Sequence, residues 1–181
     1  MDASSDALLV AIHGRNAFVK VLRRGSFKIC PALKKFGIAA LEKGCAEFVI
    51  DMDECMGMDS TFMGVLAGLA MRLRRISGEM IIINLSSRNF SLLETLGLGR
   101  ILTMCPLGNV SEDLKGKLAN IPGISKLDTS APGRKITAEV MLAAHEDLVE
   151  VAPENLPKFR DVLTYLKEDL KSASDPDEAG K

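Results

Sequence analysis

The stretch FVIDMDECMGMDSTFMGVLAGL, residues 48–69, decides how we expect this chain to fold. Its first residues, Phe48-Val49-Ile50, form an apolar run typical of a buried strand, and a loop is expected over residues 53–57. Asp59 is a favourable N-cap, so the pattern predicts a helix from there to residue 76. Ser60 and Thr61 then lie in its first turn. The stretch therefore predicts two hydroxyl groups at the amino-terminal end of a helix that follows a central strand.

The segments around this stretch alternate between strand and helix patterns. Apolar β-type runs predict strands over residues 8–12, 18–22, 47–52, 80–85 and 101–104, and helical periodicity predicts helices over residues 31–43, 59–76 and 87–96. The first two strands are joined by a Gly- and Asn-containing turn and are expected to pair as an antiparallel hairpin. This order indicates an α/β fold with an opening hairpin, a mixed sheet and helices on one side.

The remainder of the chain differs in composition. Residues 6–104 are expected to form the α/β domain, followed at residues 105–135 by an irregular arm rich in Gly, Pro, Ser, Asn and Lys, with one helical turn near residues 112–118. Apolar residues then recur every three or four positions over residues 136–171, which predicts a C-terminal extension of two amphipathic helices. Residues 172–181 are polar and are expected to form a disordered tail.

Composition argues against several classes of protein. With 23 basic and 24 acidic residues the net charge is -1, so no overall field attracts nucleic acid or an anionic membrane. The four cysteines form no C-x-x-C pair and the two histidines are far apart, so we expect no metal, no cofactor and reduced, mostly buried thiols. The acidic start and the lack of a long apolar run predict neither a secretory signal nor membrane insertion, and hence a cytoplasmic protein.

The order of elements and three short motifs resemble a known family. The motifs are Met58-Asp59-Ser60-Thr61, Gly78-Glu79-Met80 and Leu93-x-x-Leu96-Gly97-Leu98. Together they resemble the STAS domain of bacterial anti-anti-sigma factors, also called anti-sigma factor antagonists, over about residues 6–104. The chain departs from the family pattern at Phe62, where a glycine is usual, at residues 25–28, which lack the usual acidic residue, and in its arm and helical extension.

The resemblance implies a regulatory protein-binding module rather than an enzyme. An anti-sigma factor that is also a serine kinase would bind the unphosphorylated protein and phosphorylate Ser60, with Thr61 as the second choice, and a PP2C-type phosphatase would reverse the reaction. An alternative within the same family is an adaptor subunit of a larger signalling or transport complex that binds without phosphorylation. The departure at Phe62 keeps this alternative open.

The predicted second helix also carries an unusual surface. Its core face is expected to hold Phe62, Leu66, Leu69, Leu73 and Ile76. The opposite face, which we call the glycine stripe, holds Ser60, Gly64, Ala67, Gly68, Met71 and Arg75. Glycine inside a helix costs about 1 kcal/mol relative to alanine, so a close approach by another backbone is a reasonable explanation. We therefore expect a partner helix to dock on the stripe together with Asp59 and Thr61; the alternative is that the chain's own C-terminal helices cover it.

A remote enzymatic interpretation starts from Asp51-x-Asp53 after the apolar strand. This pattern is similar to the first motif of haloacid-dehalogenase-type phosphatases, in which the first carboxylate is the nucleophile and the second assists beside Mg²⁺. The downstream acidic residues that this family needs are absent after the later strands, and Cys55 stands where threonine or valine is expected. His145 has no ligand-spaced partner or nucleophile near it in the sequence, so it is assigned no chemistry.

Overall fold

The computed structural model describes residues 5–130 and 132–174. The acidic start at residues 1–4 and the predicted tail from residue 175 onward lie outside the described residues. The strands are β1 Ala7–His13, β2 Asn16–Gly25, β3 Glu47–Asp51, β4 Cys55–Met58, β5 Glu79–Leu85, β6 Thr103–Pro106 and β7 Ser125–Lys126. The helices are α1 Cys30–Glu42, α2 Ser60–Arg75, α3 Ser87–Thr95, α4 Glu112–Ala119, α5 Arg134–Val151 and α6 Leu156–Ser174, with short 3-10 helices at Leu98–Arg100 and Pro153–Asn155.

The predicted opening hairpin is confirmed. Strands β1 and β2 are antiparallel, with Val10 opposite Val19, and a two-residue turn joins them. Gly14 in this turn has a φ of 59°, a backbone conformation that glycine adopts without the steric cost of a β-carbon. The turn chemistry and the apolar runs on either side therefore account for this part of the sheet.

The seven strands form one mixed sheet in the order β6-β5-β3-β2-β1-β7, with β4 paired to the far end of β2. Strand β3 is parallel to both of its neighbours, β2 and β5. Both faces of β3 are covered: Phe48 and Ile50 pack in the main core with α1 and α2, whereas Val49 packs with Val110 and Leu114 from the arm and α4. Burial on both faces explains why the sequence of β3 is apolar throughout rather than alternating.

The structure differs from the sequence-based prediction in residues 53–57, which were expected to form a loop. Residues 55–58 instead form β4, which pairs in parallel with the end of β2. Cys55 is buried, and its carbonyl oxygen accepts a hydrogen bond of 2.9 Å from the amide of Asn89, a fully buried residue of α3. The prediction was wrong because β4 gains its hydrogen bonds from residues distant in sequence. Ile76, predicted for the core face, is also 51% exposed because it lies just beyond the end of α2.

The arm over residues 105–135 has more regular structure than its composition predicts. The expected helical turn is the eight-residue helix α4, which Ser111 caps by accepting a hydrogen bond from the backbone of Leu114. Strand β7 extends the sheet by pairing with β1. Helix α4 packs on the face of the sheet opposite to α1 and α2, and Leu127, after β7, packs against the main core on their side.

The two predicted C-terminal helices are present, and α5 packs on α2 as part of the same core. Ala144 and Leu148 of α5 are buried in the main core. At the α5–α6 junction the fully buried side chain of Asn155 donates hydrogen bonds to the carbonyl oxygens of Leu96, at 3.0 Å, and Leu148, at 2.9 Å. Helix α6 continues to Ser174, three residues into the segment that was predicted as a tail. Among the described residues, no helix has the length and apolar character needed to cross a bilayer.

Candidate functional site

The start of α2 is fixed by Asp59. One carboxylate oxygen accepts a hydrogen bond of 2.9 Å from the backbone N–H of Phe62, as expected of an N-cap. The other accepts one of 2.7 Å from the backbone N–H of Phe27, and the N–H of Asp59 donates to the carbonyl oxygen of Gly25 at 2.9 Å. Asp59 therefore joins the first turn of α2 to the end of β2 and the loop that follows it.

The structure accommodates Phe62, which stands where the family pattern usually has glycine. Its side chain is fully buried, and a β-carbon built on Gly25 would lie 2.5 Å from the phenyl ring. The ring thus occupies the space that the missing side chain of Gly25 leaves. This substitution is accommodated within the fold, and the predicted helix start is confirmed despite it.

The hydroxyl group of Ser60 is held by a histidine from α5. The Ser60 oxygen lies 2.9 Å from Nε2 of His145, and Nδ1 of the same ring lies 2.7 Å from the carbonyl oxygen of Met141. A carbonyl can only accept, so Nδ1 carries the proton, and Nε2 accepts from the Ser60 hydroxyl when the ring is neutral. The imidazole is 3% exposed and also makes an edge-on contact with the ring of Phe159. Ser60 is half-buried under α5, and Thr61 is 3% exposed.

The glycine stripe is covered by α5, so the expectation that it is open to a partner helix is wrong for this arrangement. A β-carbon built on Gly64 would clash with the carbonyl oxygen of Ala144 and would lie 2.8 Å from the β-carbon of that residue. At Gly68 an added β-carbon would lie 3.0 Å from the carboxyl carbon of Asp147. The alternative interpretation, that the chain's own C-terminal helices cover the stripe, accounts for both glycines.

The rest of the stripe is progressively less covered. Ala67 is fully buried and Met71 is half-buried, whereas the Arg75 side chain is 71% exposed and lies 4.0 Å from Glu150. An ion pair this exposed contributes little to stability. Helix α5 is therefore in tight contact with the first three turns of α2 and only in loose contact with its end.

One carboxyl group in this helix contact has an altered proton affinity. Burial raises the pKa of the Asp147 carboxyl to about 6, and the nearby cations Lys34 and Arg72 only partly oppose this shift. The acid therefore carries its negative charge over Gly68 at neutral pH at some energetic cost.

The carboxylates after β3 form a separate cluster around Lys20. Glu54 lies 2.8 Å from the Lys20 ammonium, and this hydrogen bond, followed by the charge of Asp51, raises the pKa of the lysine despite its partial desolvation. One oxygen of Asp51 accepts hydrogen bonds from the backbone of Asp53, at 3.0 Å, and from the side-chain amide of Asn84, at 2.8 Å. Within residues 5–130 and 132–174, no group of three or more His, Cys, Asp or Glu side chains is arranged to hold a metal ion.

His145 is the residue that sequence reasoning missed. It is 85 positions from Ser60, so no local spacing connects the two residues. The complementary pattern of small residues was visible, however: Gly64 and Gly68 recur one turn apart on α2, and Ala143-Ala144 precede His145 on α5. Matching these small-residue faces offers α5, and with it His145, as one candidate neighbour of α2, beside a helix from a partner.

Comparison with known proteins agrees with this arrangement of elements. Residues 26–114 match the family model of the STAS domain. Anti-sigma-B factor antagonists of Listeria monocytogenes and Listeria innocua are each 37% identical over 70 residues, which make up 39% of this chain. The chain spans 59% of the length of these curated relatives.

Three solved structures share the fold at low sequence identity. The anti-sigma factor antagonist SpoIIAA in its unphosphorylated form has a TM-score of 0.52 at 16% identity, covering 62% of this chain and 96% of that one. The Bacillus SpoIIAA in its phosphorylated form has a TM-score of 0.50 at 16% identity, covering 63% and 100%. An antagonist from Mycobacterium paratuberculosis has a TM-score of 0.52 at 19% identity, covering 65% and 97%. Residues 26–114 of this chain therefore resemble the STAS domain, and the chain shares the fold of the solved anti-sigma factor antagonists.

Proposed function

We propose that this protein is a non-enzymatic regulator that binds an anti-sigma factor in the cytoplasm and is switched by phosphorylation of Ser60. The observation that carries the proposal is the position of Ser60, the first residue of α2, directly after the Asp59 N-cap, in a STAS domain whose curated relatives are anti-sigma-B factor antagonists. The proposed partner is an anti-sigma factor that is also a serine kinase. A PP2C-type phosphatase would restore the free hydroxyl.

In the proposed reaction the kinase transfers the γ-phosphoryl group of ATP to the Ser60 oxygen, releasing ADP and the hydroxyl proton. The phosphate adds about -1.5 to -2 charges at pH 7. It would lie at the positive end of the α2 dipole, where an anion is tolerated, so we expect the domain to remain folded. The added charge and bulk would then act on the protein that docks at this helix end.

The proposed contact surface for the partner is the glycine stripe together with Asp59 and Thr61. Because glycine lacks a side chain and alanine has only a methyl group, the backbone of an incoming helix could approach closely. In the structure, helix α5 approaches α2 closely at Gly64 and Gly68 for the same reason. A partner of the same shape would therefore have to replace α5 on α2.

Binding of purified protein to each serine-kinase anti-sigma factor of its source genome, tested singly, would examine this proposal. We expect Ser60→Ala to bind one of them and Ser60→Asp to bind it at least tenfold more weakly, because the added charge repels the partner. The matched controls are Ser87→Ala and Ser87→Asp, since Ser87 is the exposed first residue of α3. Incubation of the bound pair with ATP followed by mass spectrometry should locate phosphate on Ser60.

A second candidate function, the phosphorylation-independent adaptor, is favoured by one observation. The Ser60 hydroxyl is half-buried and already donates to His145, so it is not free to accept a phosphoryl group in this arrangement. The same experiment separates the two functions. Equal partner affinity of Ser60→Ala and Ser60→Asp, with no phosphate on Ser60 in protein isolated under several stresses, would favour the adaptor and contradict the switch.

A further inference from the structure

Helix α5 occupies the surface of α2 in the way that a bound partner helix would. Ala144 places its backbone against Gly64, Asp147 lies over Gly68, and His145 accepts a hydrogen bond from the Ser60 hydroxyl at the start of α2. The face of α5 that makes these contacts is buried along its length through Ala138, Val140, Ala144, His145 and Leu148. Helix α5 therefore combines close shape complementarity with one specific polar contact at the candidate switch residue.

The contact between Ser60 and His145 leaves no room for a phosphoryl group between the two side chains. The serine oxygen and Nε2 of His145 are 2.9 Å apart, so a phosphorus atom and its three oxygens cannot be placed between them. In the neutral tautomer Nε2 offers a lone pair, which would repel phosphate oxygens, and Asp147 adds a further acidic group on the same helix. A phosphate on Ser60 would therefore have to break this hydrogen bond, and its charge would disfavour the docked position of α5.

The two ends of the α5–α6 pair are held differently. At the junction, Asn155 bridges the carbonyl oxygens of Leu96 and Leu148, and the Lys158 ammonium donates to the carbonyl oxygen of Thr95 at 3.1 Å. At the other end α5 is preceded by Gly133, an exposed residue with a φ of 96° and no side chain to cap the helix, and Arg134 pairs with Asp169 of α6. Because Arg134 and Glu146 of α5 pair with Asp169 and Lys167 of α6, the two helices would move away from α2 together while the junction remains attached to α3.

We infer that α5 is a built-in competitor for the partner surface of α2, which masks Ser60 while docked and is displaced when Ser60 is phosphorylated or a partner helix binds. This inference rests on the proposed function, because it assigns a regulatory role to the same site. Docking of α5 and binding of a partner are then linked equilibria. A change that increases the undocked fraction of α5 must increase the exposure of Ser60 and the partner's apparent affinity by the same factor.

A labelling experiment tests the masking directly and needs no partner. In a Cys105→Ser background, where the remaining native cysteines are buried, the Ser60→Cys thiol is reacted with iodoacetamide in the full chain. We expect it to react at least tenfold more slowly than the Ser87→Cys thiol. Adding Ala144→Gln, which forces α5 away from Gly64, should raise the Ser60→Cys rate at least tenfold, while Glu139→Gln, an exposed position on α5, should change it less than twofold. Equal rates for the two thiols, or no response to Ala144→Gln in folded protein, would overturn the inference.

A second measurement tests displacement by phosphate. Phosphoserine is introduced genetically at position 60 of the full chain, and hydrogen exchange is followed over residues 134–151. We expect exchange there to become at least tenfold faster than in the unmodified chain, whereas phosphoserine at position 87, the same helical position on α3, should leave it unchanged. Unchanged protection of α5 with phosphate at position 60, through pairing with a protonated His145, would overturn the inference.

The failure of the inference can be separated from the failure of the proposed function. If the Ala144→Gln variant unmasks Ser60 but no anti-sigma factor binds it, the proposed function fails while the masking remains established. If an anti-sigma factor binds while α5 keeps its full exchange protection, the inference fails and the proposed function remains.

Discussion

The starts of α2 and α3 have similar local chemistry but very different surroundings. Each helix is preceded by a side chain that caps it, Asp59 for α2 and Ser86 for α3, and each has a serine as its first residue. Ser60 is half-buried and bonded to His145, whereas Ser87 is exposed. The capping sequence thus determines where each helix begins, whereas a segment distant in sequence determines whether its first residue is accessible.

The largest effect on stability should come from placing a leucine one turn after the first serine of each helix. Gly64→Leu places a side chain where Ala144 packs, so we expect a loss of about 3 kcal/mol in the free energy of unfolding or displacement of α5. Ser91→Leu, four residues after Ser87 on the exposed face of α3, should change stability by no more than about 0.5 kcal/mol. Urea unfolding of both variants measures the difference, and similar losses would contradict the structural comparison.

Removing the two caps should give the next largest effect. Asp59→Ala removes hydrogen bonds to the backbone of both Phe62 and Phe27, so we expect a loss of about 2 kcal/mol. Ser86→Ala removes one bond of 3.2 Å to the backbone of Asn89 and should cost about 1 kcal/mol. Thermal or urea unfolding at pH 7 would show whether the two caps differ in this order.

The contact between Ser60 and His145 should appear as a coupling energy. In a double-mutant cycle of Ser60→Ala and His145→Leu we expect about 1 kcal/mol of coupling, the usual net value of one buried hydrogen bond. A parallel cycle of Ser87→Ala with His145→Leu should give a value near zero. Additive effects in the first cycle would mean that the hydroxyl and the imidazole do not interact in solution.

The smallest effect concerns the pH dependence of α5 packing. The pKa of Asp147 is about 6 in the folded protein, above the unfolded value of about 3.9, so the folded state binds the proton more tightly. The resulting stabilisation is complete below about pH 4 and is lost as pH rises towards 6. Asp147→Asn should therefore raise stability at pH 7 by less than about 1 kcal/mol, after discounting for partial exposure, and give no gain at pH 4. Urea unfolding across this pH range checks the trend, with Glu139→Gln as the unaffected control.

The parts of the fold that depend on local chemistry were predictable from the sequence. The hairpin follows from apolar runs around a glycine turn, and the start of α2 follows from Asp59 and the periodicity after it. Strand β4 could not be predicted, because its residues 55–58 pair with the end of β2, more than thirty positions away. Gly64 and Gly68 indicated a closely packed helix, but the sequence could not identify that helix as α5 rather than a partner. The contact of Ser60 with His145 depends on that packing and was missed for the same reason.

The anchored junction at Asn155 has a consequence for any molecule that binds α2. Because α5 remains covalently attached and held at one end, it competes at an effective concentration in the millimolar range, independent of how dilute the protein is. A partner present at micromolar concentration must therefore offset a roughly thousandfold disadvantage, about 4 kcal/mol, before it occupies half of the α2 surfaces. The tether thus sets an affinity threshold that excludes weak helical ligands.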